Sequence, residues 1–87
     1  MQHDTVVKQF IIEEFLPDVD ITELASDYDL MAGGVIDSLG LLKTMAWLED
    51  SFDLRAEEID LVPENFRTVR EICTLIEQTE RQQAEAK

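Results

Sequence analysis

The chain is poor in bases. Its 87 residues carry 7 lysines and arginines against 20 aspartates and glutamates, a formal net charge of −13. No lysine or arginine occurs between Glu13 and Asp37, and Arg55 is the single base between Glu49 and Glu64. A surface of that sign repels phosphate backbones and anionic lipid, which argues against nucleic acid and membrane surfaces as partners. It attracts proteins that present basic patches and speeds their encounter. For any single acid the plainer reading is a solvated face that keeps the chain in solution.

Cysteine is almost missing as well. Cys73 stands alone, so no intrachain disulfide can form, and a reducing, cytoplasmic setting is expected. Its place on an apolar helical stripe reads as a small core residue rather than a nucleophile. There is one histidine, His3, near a chain end expected to be mobile. That leaves no base to activate a serine and no Cys/His cluster for a metal, so neither catalysis by this chain alone nor a metal site is expected. The acids of "DVDITELASDYD" lack the glycine and closing glutamate of a calcium loop. No apolar run is long enough to span a bilayer, and "MQHDTVVKQF" has no basic segment followed by an apolar one, so no signal peptide is expected.

What is present is a hydrophobic fraction of 45%, enough for one small core and one domain over residues 1–87. Residues 4–16 place Val7, Phe10, Ile11 and Phe15 at helical spacing. Asp4 is the expected N-cap and Pro17 the stop. Residues 17–37 form a long connection whose Ile21, Leu24, Tyr28, Leu30, Val35 and Ile36 suggest packing by its own side chains, with a short helical turn at "TELA". The strongest helix is expected over 38–53, its core face made by Leu41, Met45, Leu48 and Phe52 with Leu42 at the edge. Ile59, Leu61, Val62 and Phe66 should anchor the next segment, with a short turn near 63–66. "TVRE" reads as a capping box opening a last helix striped by Val69, Ile72, Cys73 and Ile76. Order is expected over about residues 4–80, with the tail "ERQQAEAK" frayed. The fold class is all-α: a small four-helix bundle of three principal helices and one short one, with a long first loop.

Two features of the strongest helix stand out. Leu39, Lys43 and Trp47 recur every four residues on the side away from the expected core, with Ala46 beside them. Trp47 either packs against the long loop or faces a partner. Ser38 sits at the first helical position, where free amides and the helix dipole favour a negative group. Ordinary capping is the plain reading of Asp-Ser at such a place. A phosphodiester on the serine oxygen is the sharper one.

The stretch "GGVIDSLGLLK" resembles the acyl carrier protein and peptidyl carrier protein family, whose attachment motif is Gly-x-Asp-Ser-Leu; here both Val35 and Ile36 separate the glycine from Asp37. The helix order, the acidic loop, "LEDSFDL" and "NFRTV" extend the likeness over about residues 5–80. The resemblance implies a 4′-phosphopantetheine esterified to Ser38 by a separate phosphopantetheinyl transferase. Ser38 would attack a phosphorus of the coenzyme A diphosphate, with metal and base supplied by that transferase. The resemblance further implies a thiol that holds acyl or aminoacyl groups as thioesters, and service to a loading enzyme and downstream enzymes, as a monomer. Asp37 would help the transferase engage, and Leu39, Lys43, Ala46 and Trp47 would fall on the recognition helix. Gly40 and Lys43 stand where fatty-acid carriers usually have acids, and Trp47 where a small residue is usual. These departures favour a discrete carrier of a polyketide or nonribosomal peptide pathway over a fatty-acid synthesis carrier. A non-catalytic acidic adaptor that binds a basic protein is the alternative of another class.

Overall fold

A computed structural model describes residues 3–85. Three α-helices carry the fold: α1, Asp4–Phe15; α2, Ser38–Phe52; and α3, Val69–Glu85. Three 3₁₀ turns lie between them, at Ile21–Glu23, Ala56–Glu58 and Pro63–Phe66, and the described residues contain no strand. The expected all-α layout stands, with the short fourth helix realised as the 3₁₀ turn that ends at Phe66.

The core gathers Val7 and Ile11 of α1, Leu41 and Leu48 of α2, and Val69, Ile72, Cys73, Leu75 and Ile76 of α3 around Phe66. Phe66 is fully buried and is the largest such side chain. The long connection closes on this core. Leu24, Leu30 and Ile36 are buried in it, and its backbone is tied to the start of α3. The Leu30 N–H donates to the Arg67 carbonyl at 2.6 Å, and the Arg70 N–H donates to the Ser26 carbonyl at 3.0 Å. Burying three apolar side chains and pairing its buried amides makes this loop a structural wall rather than a free linker.

Several local expectations are corrected. Asp4 does not cap α1: His3 is the N-cap residue and makes no side-chain cap bond. The Asp4 carboxylate instead accepts from Ser26 Oγ at 2.8 Å and pairs with Lys8 at 3.5 Å, so it fastens the helix to the long loop. His3 is not a loose end. Its Nε2 lies 3.5 Å from Glu80 of α3, and its ring meets Phe52 edge-on at a centroid distance of 4.9 Å. The turn expected at "TELA" begins one residue earlier. A full capping box fixes it, with Asp20 accepting from the Thr22 amide and Glu23 accepting from the Asp20 amide. At α3, Thr68 Oγ1 accepts from the Glu71 amide at 3.1 Å and donates to Glu71 Oε1 at 3.2 Å. The return bond of the expected box therefore goes to the hydroxyl rather than to the backbone.

The buried arc of α2 is rotated from the expected one. Gly40, Leu41, Thr44 and Leu48 are buried, whereas Met45 and Phe52 are half-buried and Leu42 is 52% exposed. Thr44 belongs in the core because its hydroxyl donates to the Gly40 carbonyl at 2.8 Å, so no polar atom is left unpaired. Leu61 and Val62 do not anchor their segment; both are exposed. The tail expected to fray from residue 80 stays helical to Glu85. There Gln83 accepts from the Arg55 amide at 2.7 Å and donates to the Asp53 carbonyl at 3.3 Å, which clasps α3 to the end of α2. The last part of that expectation, residues 86–87, lies outside the described residues.

Cys73 is fully buried, as its place on the stripe implied. Burial pushes its thiol up to about 11, with the carboxylates of Asp4 and Glu77 adding to the rise. The folded chain should therefore resist a thiol reagent such as DTNB at pH 8, and react at once when unfolded in denaturant. The unfolded thiol ionises near its ordinary 9.0 and the folded one near 11. The contribution of Cys73 to stability is thus intact below pH 9 and is lost as the pH rises toward 11. Denaturant melts at pH 8, 9.5 and 11 check the sign.

Candidate functional site

The site is the junction of the long loop and α2. Gly34 takes φ +75°, a left-handed turn that disfavours a side chain. Gly33 leaves space of a different kind: a Cβ there would strike the hydroxyl and ring of Tyr28, which would have to shift. The Leu30 carbonyl then accepts from both Val35 and Ile36 at 2.9 and 3.1 Å, and Ile36 is buried. The chain is thereby locked just before Asp37.

Asp37 is the N-cap of α2. Its Oδ1 accepts from the Gly40 amide at 2.8 Å, and its carbonyl accepts from the Leu41 amide at 2.9 Å. Capping at this helix thus belongs to Asp37 and not to Ser38. Ser38 is exposed, and its hydroxyl makes no hydrogen bond to the described residues. The backbone N–H groups of Ser38 and Leu39 are likewise unspent among them. An accessible hydroxyl beside unpaired amides at the positive end of a 15-residue helix suits a phosphodiester. The residues present therefore fit a phosphopantetheine arm. Asp37→Ala should cost about 1 kcal/mol through the lost cap, read as a lower midpoint in urea.

Gly40, which breaks the acidic pattern of fatty-acid carriers, has a packing reason. A Cβ there would lie 3.2 Å from Phe15 Cε1 and 3.2 Å from Ile36 Cγ2, so the glycine leaves room for the Phe15 ring over the first turn of α2.

The structure divides the four candidate partner-facing residues. Leu39 is 62% exposed, and Lys43 and Ala46 are exposed. Lys43 Nζ stands 3.7 Å from Glu14, a surface pair of little energetic weight. Trp47 is half-buried and packs against the core rather than facing wholly away from it. It stacks on Phe10 of α1 at 4.3 Å with an interplanar angle of 13°, and meets Phe52 edge-on at 5.4 Å. The rotated core arc brings that flank of α2 against α1. Reading from the sequence missed Leu42. It is exposed three residues after Leu39 and shares its face, and its edge position on the wheel was the available signal.

The fold and this serine-headed helix define a small helical carrier domain. The chain is similar to a solved peptidyl carrier protein, the solution structure of KstB-PCP in kosinostatin biosynthesis, with a TM-score of 0.68 and 53% sequence identity, covering 87% of this chain and 85% of that one. At that identity and coverage the chain belongs to the acyl and peptidyl carrier protein family. No family model and no curated protein matches it. Among the described residues no helix is long and apolar enough to cross a membrane.

Proposed function

We propose that the chain is a discrete, non-catalytic carrier of a specialised polyketide or nonribosomal peptide pathway, loaded through 4′-phosphopantetheine on Ser38. The observation that carries this reading is the exposed Ser38 hydroxyl, left unspent because Asp37 performs the capping. The similar carrier serves kosinostatin biosynthesis, and Gly40 and Lys43 stand in place of the acids usual in fatty-acid carriers. When attached, the arm supplies a thiol that holds the cargo as a thioester. The chain's own residues present the attachment oxygen, hold its helix by the Asp37 cap, and offer Leu39 and Leu42 as an exposed apolar pair to partner enzymes. Lys43 and Ala46 border that pair on α2. Partners are a phosphopantetheinyl transferase, a loading enzyme and the enzymes that use the cargo. The setting is a monomer in the cytoplasm, and the −13 charge favours encounter with basic docking patches.

The test is intact-mass spectrometry after incubation with coenzyme A, Mg²⁺ and a broad-range phosphopantetheinyl transferase. One arm per chain is expected. An unchanged mass, under conditions that modify a control carrier fully, overturns the reading.

A further inference from the structure

Along the outer flank of the α1–α2 pair runs an open groove of about 490 Å³. The two helices are antiparallel here, since Phe15 lies over Gly40 and Phe10 stacks on Trp47. The Phe10–Trp47 stack lines the groove, and both rings are half-buried. Val6, one turn before Phe10 on α1, is 47% exposed. Gln9, Glu13 and Glu14 complete the lining and are exposed. Asp50 is exposed on α2, three residues past Trp47 and on the same side of that helix.

The groove's charge is of one sign, and no lysine or arginine lines it. Each of the two helices carries a single base, and both bases are engaged: Lys8 with Asp4 at 3.5 Å and Lys43 with Glu14 at 3.7 Å. Glu13 pairs with no base among the described residues. Apolar surface rimmed by acids excludes several occupants. Nucleic acid and anionic lipid are repelled. So is a second copy of the chain, which carries the same −13. An extended peptide finds no sheet edge to pair with, because the described residues contain no strand. A helix laid along the seam between two packed helices meets none of these obstacles. Its apolar stripe covers Val6 and the Phe10–Trp47 stack, and basic flanks meet Glu13, Glu14 and Asp50. Arginine suits those flanks better than lysine, because a guanidinium pairs with carboxylates and stacks on aromatic rings.

We propose that this groove docks an amphipathic helix of a partner protein, its apolar stripe flanked by arginines. Trp47 lies nine residues past Ser38, about 14 Å along the helix axis. A partner seated here therefore holds the chain while the hydroxyl at the head of α2 stays free. Leu39 and Leu42 are left for separate contacts.

The test titrates the full chain, unmodified, with three helix-forming peptides of about four turns. One has a leucine stripe flanked by arginines, one has the same stripe flanked by glutamates, and one keeps the arginines with alanine in the stripe. Fluorescence of Trp47, the chain's one tryptophan, reads affinity, and ¹H–¹⁵N NMR reads the place of contact. The leucine–arginine peptide should change the fluorescence and shift the amides of Val6, Gln9 and Glu13 and the Trp47 indole. The glutamate peptide should do neither, and the alanine peptide should bind about tenfold more weakly. Val6→Ser, and Glu13→Gln combined with Glu14→Gln, change exposed side chains. Each variant should weaken the leucine–arginine peptide about tenfold, with urea midpoints near that of the parent. Absence of binding overturns the proposal. So do shifts spread over the acids of residues 17–37 or confined to Leu39 and Leu42, and so does equal binding by the alanine peptide. Because the unmodified chain is used, none of these results bears on the Ser38 attachment, which intact mass reads separately.

Discussion

Ser38→Ala should take up no phosphopantetheine at all, yet unfold within about 0.5 kcal/mol of the parent chain, the ordinary range for a surface substitution. The loss is complete because, in the attachment proposed above, the serine oxygen is the atom that forms the new ester, and alanine has nothing in its place. The fold is spared because that oxygen makes no hydrogen bond to the described residues and the cap is Asp37, whose carboxylate reaches the Gly40 amide at 2.8 Å. Alanine is also the better helix former at that position. Intact mass and urea melts on the same samples separate the two effects. An arm detected on the Ser38→Ala chain would place the attachment elsewhere. Asp37→Ala, by contrast, should show the stability loss that Ser38→Ala does not.

Phe66→Ala should cost about 3–5 kcal/mol, the usual range for truncating a fully buried aromatic. A domain of this length has a total stability of roughly 4–13 kcal/mol at about 0.05–0.15 kcal/mol per residue. One substitution therefore removes a large share of it. Phe66 has no exposed surface and ends the 3₁₀ turn that packs beneath α3, so the cavity cannot be relieved by solvent. Phe52→Ala should cost less, since Phe52 is half-buried at the end of α2. Urea midpoints for the two variants check the order. A Phe52 loss as large as that of Phe66 would mean that the edge contacts of Phe52 with Trp47 and His3 carry more of the fold than its burial implies.

Much of the architecture is legible along the chain, for identifiable reasons. The stripe Val69, Ile72, Cys73, Ile76 is buried throughout, because an apolar row interrupted by polar residues allows only one facing. Pro17 and the start of α2 at Ser38 lie where local backbone chemistry puts them. The long loop packs through its scattered apolar residues as they suggest, but against the shared core rather than on itself alone. The readings that moved all turn on which neighbour arrives. Thr44 is polar in sequence and core in the fold, because the Gly40 carbonyl satisfies its hydroxyl. Trp47 looks outward on a helix drawn alone, and is half-buried once Phe10 of α1 stacks on it. Gln83 belongs to a polar tail in the sequence, and is held only because the carbonyl of Asp53 and the amide of Arg55 present themselves to it.

By itself the sequence determined the helical class and the acidic field, and it singled out Ser38 as the serine proposed to carry a group. These depend on residue type and spacing within single segments. Only the tertiary structure decided that Asp37 rather than Ser38 does the capping, that Trp47 is a packing residue while Leu42 is a surface one, and that the two adjacent glycines have different tasks. Gly34 turns the backbone, and Gly33 makes room for Tyr28. Those outcomes depend on distances between side chains far apart in the chain and on the backbone angle at one residue. A hydrophobic pattern read one helix at a time contains neither.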